Sequence, residues 1–127
     1  MQGNQLFEYA VIRVVPRVER EEFMNVGVVV YCRERRFLQA MITVDDRRLS
    51  AFSDTLDIEE LRKHLAAIEH ICNGATEGGP IAKLDVATRF RWLTALRSTI
   101  VQTSRVHPGF ALSAADAVVR LHAQLVL

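Results

Sequence analysis

The sequence predicts an α+β fold, a mostly antiparallel sheet of about four strands with helices packed on one face. Three observations carry that prediction. Three runs rich in Val, Ile, Phe and Tyr fill the first third of the chain before any helical periodicity begins. After Asp45 the apolar spacing changes from two residues to three and four, and helix-capping sequences appear. The regular alternation of strand and helix that a parallel, doubly wound sheet needs is missing.

Residues 7–15 read as the first strand, which Pro16 stops. Residues 19–31 run Glu-Arg-Glu-Glu-Phe-Met-Asn-Val-Gly-Val-Val-Val-Tyr, four charged residues giving way to an apolar stretch. The charged part reads as a connection. Residues 24–33 read as a second strand, apolar on both faces and therefore central. Asn25 and Gly27 break its pattern, and Gly27 points to a bulge or a close backbone approach. Residues 33–36 are a polar break, and residues 37–44 a third strand, so the two form a hairpin. Asp45-Asp46-Arg47-Arg48 reads as a self-neutralising solvated turn.

The first helix starts at a capping box. Asp57 can accept from the N–H of Glu60, Glu60 can reach back, and Leu56 and Leu61 fall at hydrophobic-staple positions. Leu61, Leu65, Ile68 and Cys72 follow at helical spacing, and Gly74 is a natural stop. Residues 76–80, with two glycines and a proline, read as a mobile loop. Residues 85–96 predict a second helix with Phe90, Leu93 and Leu96 along one side. Residues 98–104 return to strand chemistry, and His107-Pro108-Gly109 reads as a turn. Ser113 with Asp116 opens a last helix, 114–126, that carries Val118, Leu121 and Leu125. The 127 residues form one domain on this reading.

Composition narrows the function classes. The formal net charge is +1, so no bulk charge argues for nucleic acid or a membrane surface. No apolar run approaches the roughly 20 residues of a membrane span, and no leader pattern opens the chain. Cys32 and Cys72 match no metal or redox spacing and read as free thiols in a reducing cytoplasm. No phosphate-binding Gly-Lys-Ser/Thr loop, dinucleotide glycine fingerprint or Gly-x-Ser-x-Gly elbow is present. His64 and His70 stand six apart and do not share a helix face, so neither a metal nor a cofactor is indicated.

The residues singled out as a candidate polar cluster are Arg13, Glu22, Asn25, Arg97, Ser98 and His107. Arg13 is a charge inside an apolar strand and needs a partner; Glu22 is the obvious one. Asn25 can bond the same turn or a neighbouring backbone. Arg97 and Ser98 lie at a helix-to-strand junction, where side chains project at a sheet end. There Arg97 can instead cap helix carbonyls. His107 sits in a predicted loop, and an imidazole can donate or accept a proton.

These residues fall within a wider pattern. Tyr9-x-x-x-Arg13-x-x-Pro16, Glu21-Glu22-Phe23-x-Asn25-Val26-Gly27-Val28, Arg89-Phe90-x-Trp92-Leu93, Arg97-Ser98 and Ser104-x-x-His107-x-Gly109 together resemble the bacterial domain-of-unknown-function 3037 family. The resemblance covers the chain from about residue 8 to its end. One departure is local: the family pattern often reads Arg-Gly-Glu-Phe where this chain has Arg20-Glu21-Glu22-Phe23. A Gly would allow a tighter turn there. The resemblance implies no activity. It implies a partner role beside a kinase-like protein of the HipA type.

The expected function is a non-catalytic protein-interaction module in the cytoplasm. The alternative is an enzyme acting on a small anionic substrate, with Glu22 or His107 as acid or base and Arg13 and Arg97 as anion clamps. It requires those residues to converge on one pocket. A lesser alternative is nucleic-acid binding by Arg33, Arg35 and Arg36 at the hairpin tip, joined by Arg47 and Arg48.

Overall fold

The computed structural model describes residues 4–97 and 99–127. Strand β1 (Gln5–Val14) is followed by β2 (Met24–Cys32), which returns antiparallel beside it, and by β3 (Phe37–Ile42) through the hairpin. The hairpin tip closes with the Arg36 N–H donating to the Arg33 carbonyl at 3.2 Å, Arg36 being left-handed at φ 49. On the other side of β1, β4 (Val101–Thr103) and β5 (His107–Ala111) lie end to end along one edge. Among the described residues the sheet therefore has five antiparallel strands, and β2 is central, as its doubly apolar sequence requires.

The fifth strand corrects the reading of His107-Pro108-Gly109 as a turn. The main chain of β1 explains how Pro108 is tolerated. Val11 exchanges bonds with Ser104, and Val15 N–H donates to the Ile100 carbonyl at 2.7 Å. Odd residues of β1 thus face this edge, and Glu8, paired with Pro108, faces β2. Pro108 sits where its missing N–H would point outward, the position a sheet edge allows. Gly109 has its own reason: a Cβ there would lie 2.5 Å from Cζ of Phe7. Between β4 and β5 the register slips by one residue, and Ser104 bridges the slip. Its Oγ accepts from Val11 N–H at 2.9 Å and its own N–H donates to the Val11 carbonyl at 2.8 Å.

The α-helices of the described residues that pack on the sheet are α1 (Asp46–Phe52), α2 (Ile58–Asn73), α3 (Val86–Leu93) and α4 (Ala114–Leu125). Three of the caps follow the sequence reading or extend it. Asp57 accepts from Glu60 N–H at 3.1 Å, Asp85 from Thr88 N–H at 2.8 Å and Ser113 from Asp116 N–H at 3.3 Å. The Glu60 carboxylate does not reach back; it lies within 4 Å of Lys63 and His64 instead. Helix α1 replaces the predicted turn. Asp45 caps it by accepting from Arg48 N–H, and Leu49 is its one buried residue, too little apolar signal to show a period. The predicted loop at 76–80 lies within a 3₁₀ segment, Thr76–Lys83, kinked at Gly79, and Gly78 is pressed against the last turns of α2.

The helices do not all lie on one face. Ala10, Ile12, Val14, Val29 and Tyr31 share a core with Leu61 and Leu65 of α2 and Phe90 and Leu93 of α3. Phe7, Val28, Val30 and Cys32 share a second core with Ala117, Val118 and Leu121 of α4. Consecutive residues of a strand point to opposite faces, so α4 covers the face that α2 and α3 leave. The cause is the apolar run of β2, which needs burial on both sides.

Gly27 meets both expectations raised for it. The β1–β2 register shifts between Ile12, opposite Gly27, and Arg13, opposite Asn25, so Val26 is the extra residue of a bulge. A Cβ on Gly27 would also lie 2.8 Å from Ile42 Cγ1 and 2.9 Å from the Met41 carbonyl.

Candidate functional site

The candidate polar cluster does not assemble. Glu22 is exposed and bonds Arg20 at 2.6 Å, which holds its carboxyl below the ordinary range. The expected Arg13–Glu22 pair is therefore absent. The cause is the 3₁₀ turn Val18–Arg20, which ends on a left-handed Glu21 at φ 57. Arg13 instead stacks on Phe23, 3.8 Å from the ring centroid, and burial lowers its pKa. Its Nε is buried without a partner, as is Oδ1 of its cross-strand neighbour Asn25. His107 opens β5 with its ring 5.4 Å from that of Tyr9. Ser98 lies outside the described residues.

Two of the six have clear architectural work. Asn25 donates to the Leu125 carbonyl at 3.1 Å, and Arg48 donates to the Val126 carbonyl at the same distance. Together they satisfy the carbonyls at the end of α4. His122, buried on the same helix, bonds the Thr43 hydroxyl at 2.8 Å. Arg97 donates to the Leu93 and Trp92 carbonyls of α3 at 3.1 and 2.5 Å, and it stacks on the Trp92 ring. Arg89 does the same for α2, reaching the Ile71 and Cys72 carbonyls at 2.8 and 3.0 Å. Three helices thus end on an arginine, which both bonds the orphan carbonyls and meets the negative end of the helix dipole.

The Arg-Phe-x-Trp-Leu run can be resolved residue by residue. Arg89 closes α2, Phe90 is fully buried and stacks on Tyr31 at 5.0 Å, and Leu93 is core. Arg91, between them, grips Glu8 of β1 with two bonds of 2.9 and 3.1 Å. Trp92 is different: 42 % of it is exposed.

Trp92 stands in a cleft of about 720 Å³ between α2 and the β4 edge. Leu56, just ahead of α2, and Leu61, Ala67 and Ile68 of α2 form one wall, Ile100 and Val101 face them, and Trp92 and Leu93 lie in the cleft between these walls. Ile100 is 48 % exposed. Asp57, Glu60 and His64 mark the α2 rim, with Arg97 as the one arginine among the lining residues. Among the described sequence candidates Arg97 alone lines this cleft; Glu22 lines a separate groove beside α1. Sequence reading missed the cleft because Leu61 and Ile68 repeat at core spacing, and the same stripe serves both core and cleft. The one available signal was Ile100, an apolar residue ahead of a short strand.

The arginines proposed as a basic patch also lie apart. Arg33, Arg35 and Arg36 occupy one end of β3, and Arg47 and Arg48 follow its other end, about 20 Å away along the strand. Among the described residues no three His, Cys, Asp or Glu gather as metal ligands would, and no helix is long and apolar enough to cross a membrane. Burial pushes the Cys72 thiol up to about 12, and Cys32 and Cys72 are both buried and unpaired.

The chain matches no curated protein and no solved structure. It does match a family described as a protein of unknown function over residues 9–126, nearly its whole length. The chain therefore belongs to the DUF3037 family.

Proposed function

We propose that this protein is a bacterial, cytoplasmic, non-catalytic protein-interaction module, and that the cleft between α2 and β4 receives its partner. The observation that carries the reading is the cleft itself. A chain that leaves Trp92 and Ile100 half-exposed around a large apolar concavity has kept a surface that another apolar group can cover. The occupant is an apolar segment of another protein, with a basic residue placed to meet Asp57 and Glu60 on the rim.

The charge on the rim does not favour the enzyme alternative. A small anionic substrate needs a free cation, and Arg97 is held by two carbonyls while the opposite wall carries two carboxylates. The two buried free thiols suit a reducing compartment. The family resemblance makes a HipA-like kinase the first partner to test.

The test is affinity capture from the native host with three forms of the chain. Ala67 is exposed in the cleft wall and Val119 is exposed on the outer side of α4. Wild type and Val119→Arg should recover the same partner, and Ala67→Arg should lose it. Recovery of that partner by Ala67→Arg would remove the cleft from consideration.

A further inference from the structure

We infer, resting on the reading of the cleft as a partner surface, that the partner enters as a short extended strand added antiparallel to the outer edge of β4. Ile100, Gln102 and Ser104 turn their main chain toward β1. This follows from the Val15 N–H bond to the Ile100 carbonyl, the Arg13–Gln102 pairing and the Ser104–Val11 bonds. Backbone direction alternates along a strand, so Val101 and Thr103 turn theirs outward. The Thr99 hydroxyl takes the Val101 carbonyl at 2.7 Å. The N–H of Val101 and both main-chain groups of Thr103 remain on an edge that no described strand covers.

The same two residues line the cleft. A strand bonded to them places its facing side chains into the cleft at every second position, while the residue between points to the α4 side. Main-chain bonds and side-chain burial are thus available to one extended segment at once. The segment is short. Beyond Thr103, the Ser104 N–H is turned inward, and Pro108 offers no donor to the edge. A second copy of this chain cannot do the same. Two-fold pairing of β4 with its mate sets two identical clefts side by side on one face and fills neither.

The probe is a heptapeptide, Lys-Leu-Thr-Leu-Thr-Leu-Lys, blocked at both ends and titrated into ¹⁵N-labelled protein to about 1 mM. The amides of Val101 and Thr103 should shift and become protected from exchange. Backbone N-methylation at the leucines should weaken binding about tenfold or more, and at the threonines should not. Shifts that spare Val101 and Thr103, no shift at all, or any other methylation pattern overturns the inference. Partner capture separates its failure from that of the underlying reading. Thr103→Pro takes an outward N–H from the edge, so it should lose the partner as Ala67→Arg does. If Thr103→Pro keeps the partner while Ala67→Arg loses it, the cleft stands and strand addition falls. If both keep it, the cleft reading itself fails. The methylated peptides need no variant and decide the matter should Thr103→Pro not fold.

Discussion

The two faces of the sheet are finished differently. On the α4 face the helix is closed over the central strands and its end is tied down, with Asn25 and Arg48 on the last carbonyls and His122 on Thr43. On the other face α2 and α3 cover β2 and the middle of β1, yet leave a cleft against β4. The α2 and α3 face nevertheless carries the larger buried core. The difference marks one surface of the fold as unfinished: the face that apolar side chains line but do not fill.

That contrast can be broken or sharpened by substitution. The largest effect is expected at Phe90, fully buried between α3 and Tyr31. Phe90→Ala should cost about 3–5 kcal/mol in chemical denaturation, whereas Ala67→Arg in the cleft wall should change stability by no more than about 0.5 kcal/mol. Equal costs would mean that the cleft wall is core and not a surface. Gly27→Ala comes next. Its methyl would press on Ile42 and the Met41 carbonyl, and overpacking of that kind costs about 1–3 kcal/mol.

Asn25→Ala isolates the closed face. It leaves the Leu125 carbonyl without its donor and should cost about 1–2 kcal/mol. Amide exchange should quicken at the end of α4 and stay unchanged in α2. A smaller, pH-dependent contribution sits at the start of α3. The Thr88 hydroxyl and N–H hold the Asp85 carboxyl below its usual range. The unfolded chain therefore takes up that proton more readily. The contribution is present above the unfolded pKa and is lost as pH falls through the folded one. Asp85→Asn keeps a capping oxygen but does not titrate, so acid unfolding curves should lose this part of their slope. The smallest effect is expected at Glu21, left-handed where the family pattern often has Gly. Glu21→Gly should stabilise the chain by up to about 1 kcal/mol, read as a rise in the denaturation midpoint.

The contrast also shows what the sequence made legible. The three leading strands, the central place of β2 and the helices capped by Asp57, Asp85 and Ser113 were readable, because period and capping are local. β5 was hidden because Pro108 and Gly109 belong to turns in local chemistry, while the edge position that admits Pro and the Phe7 ring that demands Gly are set by tertiary pairing. Helix α1 was hidden because one buried leucine makes no period. The site candidates fared according to the same division. Arg97 takes the carbonyl-capping role already open to it at a helix end, whereas Asn25 bonds a helix carbonyl 100 residues away, which no sequence spacing reveals. Arg13 was expected beside a carboxylate and found an aromatic ring. The cleft was illegible because it is an absence of packing between elements distant in sequence.

The most direct measurement is hydrogen–deuterium exchange on the captured partner complex, compared with the free chain. Protection should appear in α2 and across residues 99–103, with the exposed face of α4 unchanged. Protection confined to α4, or to the Arg33–Arg36 hairpin tip, would contradict the account.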